Sequence, residues 1–353
     1  MSNRLTSASL LAKRRYSTGV NLIEIMVAMV IGLFLVLGAT TLYVNTKKTS
    51  DVDDSMARLQ ETARYALSIL ETDVRMANYW GLSKDAAEFQ NSATNETVDD
   101  TDPLTPDDDD IGKALEGSSA KDCGETTAFD VERYIDGTNS GYTLDCDEHS
   151  EALETGDTLT VRRAGRTVAT QAADRVQICS ARSGEVKIMT AAMPCTGEVH
   201  DLITNIYYVD KDSDQAAGYP SLRRKSLGSG PEFADVEIIP GVEDMQIQLG
   251  WAPPNAAGYP TSSAIMYLQP GNAALAQPGS QVIAVRVWLL IRSETPDNTF
   301  TDTRSYSYAS RTTTPATTSL STVADVNKQY APNDNFRRLL VSRTFFIRNV
   351  VGT

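Results

Sequence analysis

Histidine occurs twice in the 353 residues, cysteine four times and tryptophan three times, and the 32 lysines and arginines are outnumbered by 46 acids. Each scarcity excludes something. With only His149 and His200, far apart in sequence, there is little from which to build a nucleophile–base pair. The chain also has no G-x-S-x-G, no Walker glycine loop and no H-E-x-x-H. An enzyme is therefore not expected, no catalytic residue is assigned and no cofactor is called for. No C-x-x-C pair exists, so the usual beginning of a zinc site is missing. The formal charge of -14 repels nucleic acid, and the only basic runs are short, such as Arg223, Arg224 and Lys225. No direct nucleic-acid contact is predicted.

Against that background one apolar run stands out. From Ile25 to Val44 there are 20 residues without a charge. At 1.5 Å per residue a helix of that length reaches about 30 Å, the thickness of a bilayer core. Before it come Lys13, Arg14 and Arg15, then Gly19, and a single carboxylate, Glu24, stands at its edge. A secretory signal has a shorter apolar core and small residues before its cut, which this run lacks. A plain membrane anchor explains the run but leaves Gly19 and Glu24 without a reason, and acids at the membrane are uncommon enough to need one. Arg4 and the Lys13 to Arg15 cluster precede the span, and only Lys47 and Lys48 follow closely. The positive-inside rule thus puts the N-terminus in the cytoplasm and the bulk of the chain outside it.

The four cysteines all fall in that outer part, where an even count favours disulfides. Three pairings exist. Loop lengths favour Cys123 with Cys146 and Cys179 with Cys195, but the sequence does not fix connectivity. Asp210, Asp212 and Asp214 have the spacing that begins an EF-hand loop, yet Gln215 replaces its glycine and Ser221 its final glutamate. A solvated hairpin turn is the better reading, and no metal site is assigned.

No proline follows Val44 for many residues, so a helix can continue. Apolar residues recur at Leu59, Ala63, Ala66, Leu70, Val74 and Ala77, steps that mark one helical face, and Gly81 is the expected stop. Beyond it the pattern is of strands. In VIAVRVWLLIR the alternate positions Ile283, Val285, Val287, Leu289 and Ile291 are apolar, which predicts a half-buried strand, central in a sheet. LITNIYYVD and LRRKSL flank an acidic, glycine-containing turn and read as a hairpin. LVSRTFFIRNV is rich in β-branched and aromatic residues and reads as a final strand. Asn91 to Asp110, with its run of aspartates, and Thr312 to Thr322 read as loops.

The N-terminal pattern resembles the processing site of the type IV prepilins, in which a basic leader ends in Gly and the fifth mature residue is Glu. The cut then falls between Gly19 and Val20, Val20 receives the N-methyl group, and Glu24 is fifth; the family's usual first residue is Phe, so Val20 departs from it. Losing four leader bases takes the charge from -14 to -18. The similarity extends along the chain through ARLQETARYALSILETDVRMANYWG from Ala57, YYVD from Tyr207, PSLRR from Pro220, PGVEDMQIQLG from Pro240, VIAVRVWLLIRS from Val282 and FRRLLVSRTFFIRN from Phe336. Together these resemble the minor pilins of the PilW family.

The resemblance implies an α+β, pilin-like fold: a long N-terminal helix, membrane-spanning and then amphipathic, packed on an antiparallel β-rich domain. The expected divisions are 1–19 for the leader, 20–48 and 49–81 for the two helix halves, and 82–353 for the exported domain. It also implies partners. These are a prepilin peptidase, the lipid bilayer before assembly, an inner-membrane assembly platform, other minor pilins and the major pilin. In such a family the work is to prime fibre growth, with the tip as one place for the subunit, and motility, adhesion or DNA uptake follow from the fibre. Glu24 is expected to pair with the Val20 amine during docking. Two other readings stay open at this point: a minor pseudopilin of type II secretion, and a tip adhesin.

Overall fold

The computed structural model describes residues 19–83, 89–90, 123, 131, 133–172, 174–182, 186–189, 195–229, 232–253, 265–276, 281–309 and 329–350. The basic cluster before Gly19, the stretch from Asn91 to Asp110 and that from Thr312 to Thr322 lie outside the described residues. The chain divides into two compact units, Met1–Asp54 and Ser55–Thr353. One helix, α1 (Leu22–Met76), supplies the described secondary structure of the first and opens the second.

In the second unit α1 buries one face, made of Leu59, Ala63, Ala66, Leu67, Leu70, Asp73 and Val74. The apolar members are the expected stripe with Leu67 added. Asp73, only 4% exposed, sits among them because residue 73 falls between Leu70 and Val74 on the same face. The helix ends at Met76 and not at Gly81, since Asn78 takes a left-handed conformation (φ 60°) and turns the chain. The side-chain amide of Asn349 donates to the carbonyls of Met76 and Ala77, which the helix itself leaves unpaired. Gly81 has its own reason: φ is 76°, and a Cβ there would lie 2.6 Å from Nε2 of the buried His200.

The strands are β1 (Phe89–Gln90), β2 (Ile135–Asp136), β3 (Leu159–Val168), β4 (Gln177–Ser180), β5 (Val186–Met189), β6 (Glu198–Asp210), β7 (Ser221–Leu227), β8 (Phe233–Pro240), β9 (Val242–Ala252), β10 (Met266–Leu268), β11 (Gln281–Arg292), β12 (Tyr306–Ser307), β13 (Gln329–Tyr330) and β14 (Arg338–Phe346). An eight-stranded sheet is organised on β6. One side of β6 pairs with β3, and the other is shared end to end by β4, at Glu198 to Asp201, and β7, at Asn205 to Asp210. Strand β8 continues from β7, and β5 from β4. The β6–β7 pair is the expected hairpin.

The second sheet runs β10-β9-β11-β14, antiparallel throughout. Here β11 is central, as its alternation requires, and Val285, Val287, Leu289 and Ile291 are fully buried. Leu290, on the opposite face, is buried as well, because Tyr306 and Tyr308 cover it. The two sheets and the helical stripe share one core, joining Leu70 and Val74 to Leu159, Tyr207, Ile247 and Val287.

A buried carboxylate fixes how the helix seats on the larger sheet. Asp73 Oδ1 accepts from Arg163 Nε on β3 at 3.0 Å, and Oδ2 accepts from the Tyr207 hydroxyl on β6 at 2.8 Å and from Asn205 Nδ2. Three donors of two strands thus converge on one helical residue. Removing the carboxylate alone strands them, which typically costs about 3–5 kcal/mol for a buried charge pair. We expect Asp73→Ala to lower the unfolding free energy by that amount, read from urea titration of the detergent-solubilised chain, and Asp73→Leu to restore little of it. A loss below about 1 kcal/mol, the range of a surface pair, would remove Asp73 as an anchor.

Candidate membrane and assembly helix

The first unit presents the residues that the sequence singles out. Gly19 and Val20 precede α1, and the carbonyl of Asn21 accepts from the amides of Glu24 and Ile25. Glu24 therefore lies in the first turn, where a carboxylate suits the positive end of the helix dipole. A Cβ added at Gly19 meets nothing within 4 Å. Among the described residues no packing calls for glycine there.

From Ile25 to Val44 the helix exterior is apolar and exposed, with Phe34 and Tyr43 each 70% accessible. The hydroxyls of Thr40 and Thr41 donate to the carbonyls four residues back, Val36 and Leu37, so even these polar groups are satisfied within the helix. The helix is long and apolar enough to cross a membrane. A face of this size exposed on every side has no place in water. It has two physical uses, immersion in lipid and packing against other helices of like surface.

The remaining residues fall elsewhere. Cys123 is bonded to Cys146 and Cys179 to Cys195, the sequential pairing, and no free cysteine remains. The first bridge is buried beside Ile206, Tyr142 and Phe233. Asp210 accepts from Ser150 and from the Asp212 amide; Asp212 accepts from the Gly218 amide; Asp214 pairs with Arg223. These carboxylates shape the β6–β7 turn. Among the described residues no group of three or more His, Cys, Asp or Glu is placed to hold a metal ion.

Arg223 and Lys225 make no surface patch. Arg223, 3% exposed, donates to Asp235 at 2.7 Å and Asp214 at 2.8 Å, and Lys225 donates to Asp235 at 2.7 Å. Arg338, 1% exposed, is held by Glu243 and Asp334, with Asp302 3.7 Å away. The sequence reading missed these buried ions. Strand alternation could not have marked them, since Arg223 and Lys225 lie on the face of β7 opposite the core residue Leu222 and are buried there by long-range partners.

Burial works against ionisation of Asp235 and Asp302, but hydrogen bonds from Lys225, Tyr208 and Arg223 in one case and Arg304 and Tyr306 in the other hold both below the usual range. Asp297, bonded by Thr299 and then Arg337, is lowered to about 2. Asp157 goes the other way. Fully buried, it is pushed up to about 8 despite accepting from the amides of Ile247 and Ser140.

Residues 206–349, less than half of the chain, match the family model described as Type IV Pilus-assembly protein W, PilW. That region runs from β6 through β14. No curated protein matches the chain in sequence. Among solved structures, the type IV-like pilin TTHA1219 from Thermus thermophilus is similar at 14% identity over 56% of this chain and 80% of that one, with a TM-score of 0.27. A superposition that loose carries no argument about this chain.

The opposed shifts give stability a maximum in mild acid. The lowered carboxylates add stability that is complete above their ordinary value near 4 and is lost as pH falls towards 2. The raised Asp157 adds stability that is complete below its ordinary value and is lost as pH rises towards 8. We expect the melting temperature to climb from about pH 2 to 4 and decline from there to about 8. Differential scanning fluorimetry should show the alkaline decline flattened in Asp157→Asn and the acid limb kept. An unchanged alkaline limb in that variant would sink this assignment.

Proposed function

We propose that the chain is a minor pilin of the PilW kind, made as an inner-membrane precursor, trimmed and N-methylated at Val20, and assembled into a type IV pilus. Its N-terminus faces the cytoplasm and its β-rich unit the periplasm until assembly. The observation that carries this reading is a conjunction. A helix with an all-round apolar exterior begins just after Gly19, has Glu24 in its first turn, and leads into a β-rich unit whose residues 206–349 match a pilus-assembly family.

The mechanism is one of replacing solvent. In the bilayer the apolar exterior from Ile25 to Val44 is covered by lipid, and the helix leaves lipid only when neighbouring pilin helices cover it instead. Glu24 makes that exchange selective. Near the membrane surface it stays hydrated; among apolar helices it needs a partner, since an unpaired carboxylate there costs several kcal/mol. Cleavage after Gly19 creates a positive amine at Val20 that methylation leaves charged. Pairing of Glu24 with that amine on a neighbouring subunit sets the docking register. Together with other minor pilins the subunit primes fibre growth at the assembly platform.

Gly19 serves the peptidase, which needs close approach to an unbranched backbone. Gly19→Val is expected to leave the precursor uncut in the inner membrane, and mass spectrometry finding normal N-methylated Val20 in that variant would defeat the prepilin reading.

Glu24→Ala is expected to insert and be cleaved, yet to yield pili reduced about tenfold or more, the factor that a loss of 1.4 kcal/mol or above produces. The measurement is pilus mass in sheared fractions at equal subunit level, with exoprotein secretion scored in parallel. Wild-type pilus numbers would refute the pairing. Normal pili with failed secretion would move the chain to the type II secretion apparatus.

A further inference from the structure

Among the described residues the second sheet ends on an open edge. Strand β14 pairs with β11 on one side only, over nine consecutive positions without a bulge. The amide of Ile347 donates to the carbonyl of Ile283, and this fixes the parity: residues 339, 341, 343 and 345 turn their peptide groups towards β11. Leu340, Ser342, Thr344 and Phe346 turn theirs outward, and among the described residues those outward groups have no hydrogen-bond partner. The side chains there are accessible too, with Ser342 and Arg343 exposed and Phe346 59% exposed.

Other edges of this unit carry devices that discourage pairing. Strand β8 contains a register shift opposite Leu222 and Arg223 and terminates at Pro240, and β10 is three residues long. Strand β14 has neither a bulge nor a proline, and at about 30 Å it is long enough to dock a whole strand.

The edge is also locally basic in a chain of net charge -14. Arg75 and Arg343 both pair with the same carboxylate, Glu71, each at 3.0 Å. Arg348, exposed and without a carboxylate partner among the described residues, follows directly, its amide bonded to the carbonyl of Arg75. Two guanidinium groups thus share one acid, and a third stands beside them.

We propose that β14 receives an extended, acidic strand from a different polypeptide, extending the sheet to β10-β9-β11-β14-guest. The backbone groups of residues 340, 342, 344 and 346 supply the ladder, and the arginine strip selects acidic side chains on the guest. A second copy of this chain is disfavoured as guest, because two such acidic units repel. The inference does not depend on the role proposed above, since the edge belongs to the second unit whatever the helix does.

The test uses the full-length chain in two settings. In detergent, hydrogen exchange should find the amides of Ser342 and Thr344 exchanging nearly as fast as free peptide while those of Arg343 and Phe345 are slow; protection at all four would overturn the proposal. In cells, a benzoylphenylalanine replacing Phe346 should form an adduct whose peptide maps to an acidic, extended segment of another envelope protein. Ser342→Pro removes only an outward amide, so the domain keeps its own ladder. It should cut that adduct about tenfold, and Arg348→Glu, which leaves the backbone intact, should also weaken it severalfold. An adduct to lipid or to a second copy, an adduct indifferent to both variants, or no adduct would overturn it.

Discussion

The carboxylate of Asp73 accepts from side chains of β3 and β6 while its backbone belongs to α1, and the seating of the helix on the larger sheet depends on that meeting. Apolar contacts hold the same surfaces together but discriminate poorly between registers, because alanines and leucines slide past one another at little cost. A charge with three fixed donors does not slide. It converts a greasy stripe into an address. The same device recurs at Arg338, which joins β14 to Glu243 on β9, and at Arg223, which joins β7 to Asp235 on β8. This β-rich unit is keyed by buried ions as much as by its core.

How much of this is legible in the chain depends on the range of the interaction. The membrane-length run, the helical stripe from Leu59 to Val74 and the alternation of β11 are local patterns, each readable because one period decides which side chains face inward. The β6–β7 hairpin is nearly local, and its turn chemistry marks it. What escapes is set at long range. Asp73 looks like a surface acid until β6 places Asn205 and Tyr207 against it, more than a hundred residues later. The helix stop was misplaced at Gly81 for a related reason: a glycine is a general signal for a helix end, whereas here Asn78 turns the chain and Gly81 makes room for His200.

The two units ask different things of their residues. In the first, side chains from Ile25 to Val44 are selected for what they lack, namely any charge, and Glu24 at the edge of the run is the single acid. In the second, charge is abundant and is used inside as well as outside. A residue's likeness to its neighbours therefore says little about its task. Glu24 matters through its isolation, Asp73 through its company.

One contact has a consequence for biosynthesis. The carbonyls at the end of α1 are capped by Asn349, whose position in the chain is 272–273 residues away, and the amide of Arg348 closes on Arg75 beside it. The 55-residue helix is thus capped by a residue far along the chain from its own end. Until residue 349 has emerged, the helix end stays uncapped and β11 lacks β14, so high-separation contacts delay closure of the unit.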